Sequence, residues 1–83
     1  MGIQEKYDTF VRENKCTPTF AIASVRWKDT DEVVDNLAFS IDDSVPDDDV
    51  FFNISGVYEL ETLSNKDNGE DFTILDDTIE FYK

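Results

Sequence analysis

The sequence predicts a small α+β domain: an N-terminal helix, an antiparallel hairpin, then strand, helix and strand, forming a mixed or antiparallel sheet of four to five strands. Three observations lead there. Residues 2–15 place apolar side chains at helical spacing, and residues 19–41 alternate at strand spacing on either side of a charged turn. The composition, 40% apolar with seven Phe, three Tyr and one Trp, supports a packed core despite 33% charged residues. The alternative is one helix followed by a six-strand meander, which arises if residues 57–63 extend instead of coiling. With 83 residues the chain is read as one domain, 1–83.

In the first segment Ile3, Tyr7, Phe10 and Val11 form one apolar stripe, with Gln4, Glu5, Lys6, Asp8, Arg12 and Glu13 outside it. Acids lead and Lys15 closes, which suits the helix dipole. Pro18 then disfavours helix for the residue before it. Residues 19–27 read as a strand, with Phe20 and Ile22 on one side and Ala21, Ala23, Val25 and Trp27 on the other. Residues 28–32 make a charged turn. A second strand follows within residues 33–41, where Leu37, Phe39 and Ile41 alternate with Ala38 and Ser40. Asp35 and Asn36 interrupt that pattern, so a bulge or a late start is expected there.

Residues 50–54 read as a short buried strand. Residues 57–63 are assigned to a helix, with Ser55 as its N-cap, Val57, Leu60 and Leu63 inward, Glu59 and Glu61 near its positive end, and Asn65 or Gly69 as its stop. Residues 71–82 are extended, but Phe72 and Ile74 differ in parity from Ile79 and Phe81. Asp76 and Asp77 must therefore hold a bulge or a turn.

Charge is the strongest global signal, 20 acids against 7 bases and a formal net of −13. Its distribution says more. Residues 1–28 hold five bases against three acids, a net of +2, whereas residues 29–83 hold 17 acids and two bases, a net of −15. Five aspartates, Asp42, Asp43, Asp47, Asp48 and Asp49, fall within eight residues between two apolar runs. Pro46 is expected to fix that loop's shape and Val45 to anchor it.

Several chemistries are absent from the residue types. The chain has no histidine, which removes Ser-His and Cys-His catalysis and zinc sites built from Cys and His. Cys16 stands alone and reads as a small buried or half-buried hydrophobe. Gly2, Gly56 and Gly69 are too scattered for a phosphate-cradling loop. A calcium loop ahead of Gly69 would require acids where Ser64, Lys66 and Asn68 stand, and a glutamate at Leu75. No enzyme, cofactor or metal site is expected, and direct nucleic-acid binding is disfavoured by the lack of a basic patch. With no basic-then-apolar leader and no long apolar segment, a reducing cytoplasm is the expected compartment.

Duplex DNA carries one charge per about 1.7 Å, so a body about 30 Å long that imitates it needs on the order of 18 charges. The 17 acids of residues 29–83 approach that density. The expected function is therefore an acidic inhibitor or decoy that binds the basic surface of a nucleic-acid-binding protein. Its expected contact residues are Asp29, Asp31, Glu32, Asp42, Asp43, Asp47, Asp48, Asp49, Asp67, Glu70, Asp71, Asp76 and Asp77. In size, acidity and lack of catalytic groups the chain resembles, by composition and without a shared motif, the anti-restriction and anti-CRISPR proteins of phages and mobile elements that mimic DNA. That resemblance implies a host nuclease or effector complex as target. Two other classes compete: an immunity protein or antitoxin that neutralises a basic toxin, and a structural domain whose acidity serves solubility.

Overall fold

The computed structural model describes residues 2–45 and 47–83. The chain runs α1 (Ile3–Asn14), β1 (Phe20–Trp27), β2 (Val33–Ile41), a 3-10 turn at Asp47–Asp49, β3 (Phe52–Ile54), α2 (Val57–Leu63), β4 (Phe72–Ile74), a second 3-10 turn at Asp76–Thr78, and β5 (Glu80–Tyr82). This is the expected α+β order, with residues 57–63 helical. Among the described residues no helix is long and apolar enough to cross a membrane.

The apolar stripe of α1 meets the core, with Ile3 fully buried and Tyr7 and Phe10 packed against it. Lys15 ends the helix in the left-handed region (φ 57°), its N–H donating to Val11 O at 2.8 Å. That turn swings the chain outward before β1. Cys16, expected to be at least half-buried, is consequently exposed.

The strand order is β3-β2-β1-β4, with β5 also on β1. All pairs are antiparallel except β2 with β3, so the sheet is mixed. β4 and β5 lie end to end along the same side of β1, β4 beside residues 25–27 and β5 beside residues 20–22. The 3-10 turn at Asp76–Thr78 loops out between them and absorbs the parity change, so Phe72, Ile74, Ile79 and Phe81 are all buried.

The bulge expected at Asp35 and Asn36 is present. Ala23 pairs with Leu37 and Val25 with Val34, so Ser24 alone faces two residues of β2. Asn36 takes the left-handed conformation (φ 60°) that this extra residue requires, and asparagine tolerates it better than most side chains. The ladder on the other side of Ser24 is also broken. Its N–H donates to Thr78 Oγ1 at 2.9 Å and its carbonyl accepts from Leu75 N–H at 2.9 Å.

Ala21 and Ala23 are weak strand formers placed at the centre of the sheet, and they are buried. Their small size makes room for larger neighbours in register: Ala21 is flanked by Phe39 on β2 and Phe81 on β5. The helices cover this face. Tyr7 of α1 meets the Phe81 ring edge-on, centroids 5.7 Å apart, while Leu60 and Leu63 of α2 are buried in the same core. Phe51, Phe72, Trp27 and Phe39 interlock at one end through edge-to-face ring contacts.

Two details of α2 differ from expectation. Its N-cap residue is Gly56, not Ser55, and no side chain caps it. Ser55 lies one residue too early, so its hydroxyl meets Glu59 Oε1 (2.9 Å) and Tyr58 Oη (2.6 Å) instead. The helix closes at Ser64, ahead of both expected stops, with Ser64 N–H on Leu60 O.

Candidate acidic interaction surface

The acidic loop after β2 is held at both ends by backbone hydrogen bonds. Asp42 N–H donates to Ile54 O at 2.9 Å, Ser44 N–H to Ile41 O at 3.2 Å, and Phe51 N–H to Ala38 O at 2.8 Å. Between these anchors Val45 N–H donates to Ser40 Oγ at 3.0 Å, which closes the loop over a serine that is wholly buried. Val45, the expected apolar anchor, is half-buried. The expected role of Pro46 lies outside the described residues, as does the side chain of Asp47.

Asp42 and Asp43 both adopt left-handed backbone (φ 54° and 55°), which turns the chain sharply as β2 ends. They line a hollow of ≈ 460 Å³ with Asn53, Ile54, Ser55 and Glu59. Sequence reasoning left Glu59 out of the contact set because it was read only as a charge in the first turn of a helix. The available signal was its spacing from Ser55, which puts its carboxylate one helical turn from that hydroxyl. Asp48 and Asp49 are exposed on the 3-10 turn. Residues 42–59 thus contain six acids and no base, a net of −6.

A second group gathers at the opposite end of the sheet. Lys28 N–H donates to Asp71 O at 2.9 Å, which brings the β1–β2 turn beside the loop before β4. Asp29, Asp31, Glu32, Asp67, Glu70 and Asp71 therefore share this end, all exposed. Asn68 organises the loop: its amide nitrogen donates to Leu63 O, Asn65 O and Phe72 O. Three bases, Arg26, Lys28 and Lys66, line a hollow here with Asp31, so residues 26–32 and 64–71 together carry six acids against three bases, a net of −3. An eight-residue β1 places the two ends about 23 Å apart.

Asp76 and Asp77 form a third group on the turn between β4 and β5. Asp76 borders a hollow shared with Glu5 and Glu61 on the helical layer. Apart from Asp47, the fold thus gathers the expected contact acids in two clusters and a pair, with the loop end the most negative by sequence.

Few of these charges are offset internally. Among the described residues one ion pair occurs, Arg26 Nε to Asp31 Oδ1 at 3.7 Å, and both side chains are largely exposed. Two other bases are turned to carbonyl groups. Lys6 Nζ donates to Ile79 O (2.9 Å), Asp77 O (3.2 Å) and Asp76 O (3.4 Å), pinning α1 to the start of β5. Lys28 Nζ donates to Asn68 O and Oδ1. Tyr82 donates its hydroxyl to Glu80 Oε2 at 3.1 Å, and this bond, with the Glu80 charge, raises the phenol above its usual 10.0.

Among the described residues no group of three His, Cys, Asp or Glu side chains could hold a metal ion. Comparison with protein-family models, with curated proteins and with solved structures finds no match.

Proposed function

We propose that this chain is an acidic decoy that occupies the cationic surface of a nucleic-acid-binding protein, with residues 42–59 as the end whose field steers the approach. The observation that supports this reading is the charge of that end. It carries six carboxylates and no base, its described acids lack ion pairs, and backbone hydrogen bonds fix the loop at both ends. Six charges correspond to about 10 Å of duplex DNA. A fixed array needs little ordering when it docks, and its field steers a positive partner toward it. The exposed, solitary Cys16 suits a reducing compartment such as the cytoplasm, where a free thiol persists.

The test is capture on the immobilised chain from source lysate at graded salt. The reading expects a nucleic-acid-binding protein that DNA or RNA displaces, with retention falling at least about tenfold between about 50 and 200 mM salt. Capture of a basic toxin would favour the immunity-protein reading, and a partner without a basic surface would overturn both.

A further inference from the structure

We propose that the partner seats on the sheet face opposite the helices, centred on Phe20 and Tyr82, and that it is a single-strand-binding groove in which aromatic platforms alternate with lysines and arginines. This rests on the decoy reading and specifies its target. Phe20 is in register with Ser40 and Tyr82, and Ile22 with Ala38 and Glu80, so these residues share one face. The helices pack on the other face, through contacts such as Tyr7 on Phe81. The acidic loop closes over Ser40, but on the β1–β5 side the face stays open. Tyr82 is 39% exposed there, Glu80 is exposed, and Phe20 and Ile22 are half-buried.

The Phe20 and Tyr82 rings are stacked, centroids 5.2 Å apart and planes within 13°. Glu80 accepts the Tyr82 hydroxyl at the rim of the stack. Parallel rings edged by the hydrogen-bonded Glu80 carboxylate match what single-strand grooves hold, stacked bases with negative charge beside them. A duplex-reading surface engages phosphates and groove edges and has no counterpart for a ring stack on an open sheet face. A second copy of the chain is a poor occupant. It would set Glu80 against like charges on a partner that also carries −13.

The test uses the immobilised full chain and lysate proteins already retained on single-stranded DNA resin, with oligo(dT) and duplex DNA of equal charge as competitors. The expected results are capture from that pool, release by oligo(dT) at a concentration at least about tenfold below that of the duplex, and at least about tenfold weaker binding for Tyr82→Ala and Glu80→Lys. Tyr82→Phe should keep most of the affinity, and circular dichroism checks that each variant is folded. If Asp42→Asn/Asp43→Asn weakens binding while Tyr82→Ala and Glu80→Lys leave it unchanged, this inference fails and the decoy reading stands. Release favouring duplex DNA also overturns the inference. Binding indifferent to every variant and to salt overturns both.

Discussion

The Ser24 hydroxyl donates a 2.7 Å hydrogen bond to Asp35 Oδ1 across the bulge in the β1–β2 pair. Ser24 is only 8% exposed and stands where the central strand loses regular ladder contact on both sides. Asp35→Ala leaves that buried hydroxyl without its acceptor and should cost about 1–2 kcal/mol in urea unfolding. In a double-mutant cycle with Ser24→Ala the coupling should be about 1 kcal/mol, because each change removes the same bond.

Lys6 joins the first helix to the turn leading into the last strand through three carbonyl oxygens. Lys6→Met keeps the aliphatic stem and removes the donors, so the chain should lose about 1–2 kcal/mol. Hydrogen exchange locates the effect. Amides shared between β1 and β5 should exchange faster, while those between β1 and β2 change less.

Self-repulsion from a net charge of −13 opposes compaction and is screened by salt. The melting temperature should rise as sodium chloride goes from about 20 to 500 mM. Asp42→Asn, Asp43→Asn, Asp48→Asn and Asp49→Asn together should raise it at low salt and flatten its salt dependence, because asparagine accepts the left-handed backbone at residues 42 and 43. A melting temperature unmoved by salt would contradict this account.

The Tyr82 phenol titrates above 10.0, chiefly because its neutral form donates to Glu80. Folding therefore favours the protonated ring. The stability this contributes is fully present below pH 10 and is lost as pH rises through the raised folded value. Ultraviolet difference titration of the native protein should show Tyr82 ionising above its usual 10.0, and Glu80→Gln should bring it earlier by removing the charge.

Where parity and residue type speak directly, the fold is legible in the sequence. The phase change between Phe72–Ile74 and residues 79–81 requires a break, and a 3-10 turn provides it. The interruption at Asp35 and Asn36 requires an extra residue, and β2 bulges there. The parallel pairing of β2 with β3 was not legible, because a three-residue strand carries no signal of its partner's direction. Nor were the positions of Cys16 and Ser55, each decided by a single backbone turn. The candidate surface divides the same way. The acidic loop is visible as composition, whereas Glu59 joins it only through a helix start, and the Phe20–Tyr82 stack exists only because β5 returns to the first residue of β1.

The interruption between β4 and β5 also governs how the chain behaves when its charge is neutralised. One outer margin of the sheet is cut into two runs of three residues, β4 and β5, and on the other β3 covers only residues 39–41 of β2, whose remaining stretch is broken by the bulge at Asp35 and Asn36. An incoming strand finds no continuous row of unpaired amides to template on. Near its isoelectric pH, where repulsion vanishes, the protein should therefore come out of solution as a redissolvable amorphous solid and not as fibrils.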